Sequence, residues 1–101
     1  MPGFCWRWRH AHGPGRPMKP RVISEKPKVL SFNPEGGRGE PITLTLDEFE
    51  ALKLVDYLGF LQEEAAFKMG VSRGTLWRCL NNARRKVAAM IVEGRPLRIV
   101  D

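Results

Sequence analysis

QEEAAFKMGVSRGTLWRCLNNARR, residues 62–85, is the stretch that decides the fold. Ala65, then Phe67 or Ala66, then Met69 recur at helical spacing and predict a short helix over 62–69. Ala66 is small, as a close helix crossing requires. Gly70 follows where the chain must turn with positive φ, and Val71 plugs the junction. Ser72 suits the N-cap of a second helix, with Thr75 three residues on. Leu76, Cys79, Leu80, Ala83, Val87 and Met90 or Ile91 form the inner stripe of that helix, predicted over 73–92 and closed by Gly94. A short helix, a glycine turn and a longer helix read as a helix-turn-helix.

The outer face of the longer helix carries the chemistry. On a wheel of 3.6 residues per turn, Gly74, Trp77, Arg78, Asn81, Asn82 and Arg85 gather opposite the Leu76–Leu80–Ala83 stripe. Solvated faces usually mix acids with lysines, yet no Asp or Glu occurs from Arg73 through Val92. Arg pairs bidentately with guanine or phosphate, and Asn does so with adenine. Gly74 lets the helix start approach a backbone closely. An indole left bare at Trp77 implies a partner surface: DNA, or else the N-terminal arm or a second subunit. Cys79 falls on the inner stripe and reads as a small buried hydrophobe, not a reactive thiol.

Upstream, Thr45-Leu46-Asp47-Glu48 has the form of a capping box, and predicts a helix over 46–58. Acids at 47, 48 and 50 suit the positive end of the helix dipole. Residues 46, 49, 52, 55 and 58, with Leu54, form its apolar stripe, and Gly59 is its stop. The acids are expected on an outer face, which makes this a scaffold helix ill-suited to DNA. Short strands are expected near 29–32 and 97–100, paired with each other. The stretch 35–41 is loop by composition, and Ile42-Thr43-Leu44 a brief extension. The fold class is mainly α: a three-helix helix-turn-helix domain over 29–101, with one or two short β-strands and an extended basic N-terminal arm over 1–28.

That arm holds four prolines beyond Pro2 and no helical apolar stripe. Phe4, Trp6 and Trp8 alternate with Cys5, Arg7 and Arg9, a pattern that fits a short strand or a segment stacked along nucleic acid; a disordered tail fits equally. Arg16, Lys19 and Arg21, in a Pro-rich extended backbone, are candidate groove or phosphate contacts. Charge is distributed in three blocks: residues 1–28 hold seven Lys/Arg against one acid, 29–70 three against eight, and 71–101 seven against two. Basic ends around an acidic middle give a directional field within the net charge of +6. Cys5, His10 and His12 are weak metal candidates, because no fourth ligand stands at a recognisable spacing. Two distant cysteines make no disulfide framework, and no apolar run follows the N-terminal cations, so neither a signal peptide nor a membrane span is expected. The default is a cytoplasmic protein.

Four stretches carry a resemblance: GRPMKPR (15–21), LTLDEFEALKLVDYLG (44–59), QEEAAFKMGVSRGTL (62–76) and ARRKVAAMIVEGRPLRI (83–99). In these the chain resembles a prokaryotic family of predicted DNA-binding proteins whose helix-turn-helix is similar to region 4 of sigma factors. The resemblance implies that Ser72, Arg73, Thr75 and Arg78 are contact residues at the start of a recognition helix. Some relatives carry a further domain resembling iron–molybdenum cofactor biosynthesis proteins. Asp101 falls before any such domain, so no cofactor is expected. Two departures stand out. Where the family carries a polar residue before Gln-Glu-Glu, this chain has Leu61, a lost cap worth about 1 kcal/mol. The aromatic first 14 residues lie outside the family's motifs.

The expected function is duplex DNA binding by a transcriptional regulator, with the 73–85 helix in the major groove. A homodimer is expected, since one recognition helix seldom gives enough specificity. The rivals are docking on transcription machinery through Trp77 and the acidic first helix, or RNA binding through the arm. No enzyme is expected, because neither Cys5 nor Cys79 has a His–acid constellation beside it in sequence.

Overall fold

The computed structural model describes residues 4–6 and 21–100. Three helices and five short strands follow one another: β1 Phe4–Trp6, β2 Arg21–Ile23, β3 Ser31–Phe32, β4 Ile42–Thr45, α1 Leu46–Leu52, α2 Gln62–Met69, α3 Arg73–Glu93 and β5 Leu97–Val100.

α1 and α3 begin where their capping chemistry predicts. Thr45 ends β4 and caps α1: its Oγ1 accepts from the Glu48 N–H (3.4 Å) and the Glu48 carboxylate accepts from the Thr45 N–H (3.0 Å). Ser72 Oγ accepts from the Thr75 N–H at 3.1 Å and starts α3. The predicted missing cap at Leu61 is made good in part from inside α2, where Glu64 Oε1 accepts from the Leu61 N–H at 2.8 Å. Gly70 and Gly94 end α2 and α3 at φ +70° and +69°, the left-handed region. Around Gly70 an added Cβ would meet nothing within 4 Å, so Gly70→Ala is strained through its backbone alone. It is expected to lower stability by about 1 kcal/mol, read as an earlier urea midpoint with an unchanged slope.

The first helix departs from expectation. α1 runs on into a π-helical turn over Lys53–Tyr57, closed by Leu58 N–H to Lys53 O at 2.8 Å. The wide turn takes up more residues than an α turn, so the stripe slips out of phase. Leu46 and Leu54 are buried and Phe49, Leu52 and Val55 half-buried, but Leu58, placed on the stripe by sequence, is exposed.

Its acids are not on an outer face either. Asp47, Glu48 and Glu50 are all buried, because α3 packs along α1 and β2 also lies against it. Each has a partner distant in sequence. Glu50 accepts from Ser24 N–H (3.1 Å) and Oγ–H (2.6 Å) and pairs with Lys53 at 3.4 Å. Glu48 pairs with Lys86 at 2.7 Å, and the Cys79 thiol donates to Asp47 at 3.4 Å.

Two apolar clusters share α3. Ala51, Leu54, Ala65, Ala66, Met69, Leu76, Cys79 and Leu80 close the three helices on one another. Of the alternatives in α2, Ala66 is the inward residue and Phe67 is exposed. The second cluster joins Ala83 to the sheet residues Ile42, Leu44, Leu97 and Ile99, with Leu46 and Ile23. That sheet is larger than predicted. β3 and β5 pair antiparallel, Ser31 with Arg98 and Phe32 with Leu97, close to the expected pairing. β4, anticipated only as a brief extension, pairs parallel with the other side of β5, Ile42 with Leu97 through Thr45 with Val100. β1 and β2 form a separate antiparallel pair, Phe4 opposite Ile23. Since Ile23 is 1% exposed inside the second cluster, the arm drawn to residue 28 is corrected: the segment from β2 onward belongs to the folded body.

Candidate nucleic-acid interface

α3 is 21 residues long, buries Leu76, Cys79, Leu80 and Ala83, and leaves its opposite face outward. Ser72, Arg73, Gly74, Trp77, Arg78, Asn82 and Arg85 are exposed, and Thr75 and Asn81 half-buried, so the predicted residues of α3 and its N-cap share one surface. Farther along, Met90 turns inward and Ile91 is exposed, which resolves the two alternatives for the inner stripe. An added Cβ on Gly74 would meet only Arg78 Nη1 and Ser72 Oγ, both at 3.9 Å. Nothing inside the protein therefore demands glycine at 74.

At the start of the helix a small network orients one guanidinium. Thr75 Oγ1 accepts from Ser72 Oγ–H at 3.0 Å and from Arg78 Nη2 at 3.3 Å. The hydroxyls thus fix the cap and steer Arg78 together.

The cations of α3 divide into two groups: Arg84 and Lys86, which the helical wheel leaves off the outer face, have acidic partners from earlier in the chain, and the rest have none among the described residues. Arg84 makes a fork to Asp56, 2.8 Å from both Nε and Nη2. That contact holds the Asp56 carboxyl below its usual range and raises the Arg84 guanidinium. The pair stabilises the fold above the ordinary carboxylate range, and its contribution disappears as pH falls through the depressed Asp56 value. With both side chains more than a third exposed, it is a solvent-screened link from the π turn to α3. Lys86 is likewise engaged, by Glu48. Arg73, Arg78 and Arg85 have no acidic partner among the described residues.

Of the remaining candidates, Arg21 opens β2, while Arg16 and Lys19 lie outside the described residues. The weak metal set is not brought together for description, since Cys5 falls in β1 and His10 and His12 lie outside the described residues. Among the described residues no group of three or more His, Cys, Asp or Glu is arranged to hold a metal ion, and no helix is long and apolar enough to cross a membrane.

Fold and surface together define a small protein, about half helical, with a short mixed three-stranded sheet and one long helix that presents a basic, acid-free face. The chain belongs to the family described as "Protein of unknown function DUF134", whose model matches residues 9–101. It is 52% identical over 98 residues to a UPF0251 protein of Pyrococcus furiosus, covering 93% of this chain and 87% of that one. A UPF0251 protein of Thermococcus kodakarensis is 53% identical over 100 residues, 99% of this chain and 74% of the relative. Another, of Archaeoglobus fulgidus, is 44% identical over 95 residues, 93% and 90% of the two chains. No solved structure matches. The family match starts at residue 9, so residues 9–14 fall within the family model, whereas Phe4, Trp6 and Trp8 precede it.

Proposed function

We propose that this protein binds duplex DNA and regulates transcription, with α2, the Gly70 turn and α3 acting as a helix-turn-helix and α3 lying in the major groove. The observation that carries this reading is the division of cations: Arg84 and Lys86 are taken up internally, while Arg73, Arg78 and Arg85 face outward without an acid beside them. Around them stand the exposed Trp77 and Asn82 and the half-buried Asn81, side chains that read base edges or stack. Gly74, free of any internal demand for glycine, leaves room for a close backbone approach at the helix start.

Arg78, oriented by Thr75 near the helix start, is assigned to base reading, and Arg85, two turns on, to phosphate. DNA selected from a random pool by the protein, compared with unselected duplex, tests this. Arg78→Ala is expected to weaken the selected sequence by about tenfold to a hundredfold and random DNA much less. Arg85→Ala is expected to weaken both alike. Equal losses from the two variants on both DNAs would remove the base-reading role, and no enrichment from the pool would remove sequence-specific binding. A palindromic selected site would fit the homodimer that we include in the proposal.

Docking on transcription machinery is the rival for which the site leaves less support. Its contact surface was to combine Trp77 with the acids of α1, and those acids are buried. RNA binding by the aromatic arm rests on residues 1–14, and no observation on the described residues favours it. Nothing in the interface calls for a catalytic role or a bound cofactor in this proposal.

A further inference from the structure

The outer face of α3 changes chemistry along its length. Gly74, Arg78, Asn81, Arg85, Ala88 and Val92 follow one another at steps of four and three, so they lie along one ridge. Up to Arg85 the ridge is polar and basic; beyond it come only Ala88 and Val92, with Ile91 alongside. Ile91 is 72% exposed and Val92 82%, two large aliphatic side chains left in water at the same end of the helix.

Beside them the surface is recessed. A mainly apolar hollow of about 520 Å³ lies between Phe32, Asn33 and Pro34 on one side and Met90, Ile91 and Gly94 on the other. A protruding aliphatic pair and a hollow therefore share one patch. A twofold contact requires that combination, because both copies offer the same surface and each projection must find a recess on it. The charge of the patch also suits its own copy. The chain carries a net charge of +6, yet among the described residues no charged side chain lines the hollow, and Glu93 next to Val92 is paired with Arg95 at 3.1 Å. Two copies meeting here bring no like charges face to face from these groups.

The position along the helix selects the partner. Val92 lies 14 residues beyond Arg78, about 21 Å at the rise of an α-helix. Two copies joined at Val92 with α3 antiparallel place their Arg78 residues about 42 Å apart. Inclining the two arms to about 110° brings that to about 34 Å, the spacing of major-groove half-sites one turn apart. That distance serves a second DNA-reading helix and no smaller ligand.

We infer that the C-terminal end of α3, with Ile91, Val92 and the hollow beside Phe32, binds a second copy of this chain in a twofold contact that sets two recognition helices one turn of DNA apart. The inference rests on the DNA-reading role of α3 and gives the homodimer its surface. The patch comprises a handful of residues against the roughly 20–30 per side of a standard interface, so the free dimer is weak and DNA tightens it by holding two copies side by side.

Analytical ultracentrifugation of the whole protein reads the contact without DNA. Self-association with a Kd on the order of 100 µM is expected, weakened about tenfold or more in the double variant Ile91→Gln/Val92→Gln. Both positions are exposed, and glutamine is a good helix former without charge, so the fold and the field around Arg78 and Arg85 are expected to stay unchanged. On DNA carrying two selected half-sites one turn apart, the second copy is expected to bind about tenfold more tightly than the first, the ratio of a local concentration near 1 mM to that Kd. The double variant is expected to lose this gain and keep its affinity for a single half-site. About five added base pairs, half a turn, are expected to remove the gain from the parent. A parent that stays monomeric to about 1 mM, or self-association and cooperativity that survive the double variant, would overturn the inference. Self-association lost in the variant, with no DNA enriched from the random pool, would sustain the contact and overturn the DNA reading instead.

Discussion

Raising salt from about 50 to about 200 mM is expected to weaken binding to duplex DNA roughly 500-fold, if about five cations meet phosphates. In the proposal two of those cations are Arg73 and Arg85 of α3, outward and without an acidic partner among the described residues. Arg16, Lys19 and Arg21, in the basic N-terminal stretch, supply the others. Each neutralised phosphate adds about −0.9 to the slope of log K against log salt, so five give about −4.5, three about −2.7 and the two of α3 alone about −1.8. The double variant Arg16→Ala/Lys19→Ala is therefore expected to shift the slope from the first value to the second. A parent slope of about −1.8 would confine the interface to α3, and a slope near zero would defeat the electrostatic account altogether. Fluorescence anisotropy with labelled duplex at four or five salt concentrations reads these slopes directly.

The second large effect concerns stability. Leu80→Ala is expected to lower the unfolding free energy by about 3 kcal/mol, the middle of the range for a buried leucine truncated in a core. Leu80 is wholly buried where α3 meets the other two helices, so neighbouring side chains have little freedom to fill the void. For a domain of this size the melting temperature should fall by roughly 12–24 °C. Ile91→Ala, on the same helix, is the matched control. Ile91 is 72% exposed, and its truncation is expected to change stability by less than about 0.5 kcal/mol. Similar losses from the two variants, by calorimetry or urea titration, would show that the helix is packed with the wrong face inward.

The acids of α1 show where pattern reading stops. Asp47, Glu48 and Glu50 were expected on an outer face because carboxylates favour a solvated helix start. In the fold each acquires a partner that makes burial tolerable: Cys79, Lys86, and Ser24 with Lys53. The same is true of Arg84. Helical spacing leaves it off the outer face but does not name its partner, Asp56, 28 residues away.

Alone, the sequence determined the starts of all three helices, the left-handed glycines at 70 and 94, and the exposed basic face of α3. Those features depend on hydrogen bonds and side-chain directions within about four residues, which are written locally: Ser72 with Thr75 and Thr45 with Glu48. Only the tertiary structure decided which acids take up Arg84 and Lys86, that β4 joins β5, that Ile23 is core, and that a π turn follows α1. Each of these depends on residues brought together from tens of positions apart, where loop closure and competition among partners leave no local periodicity to read.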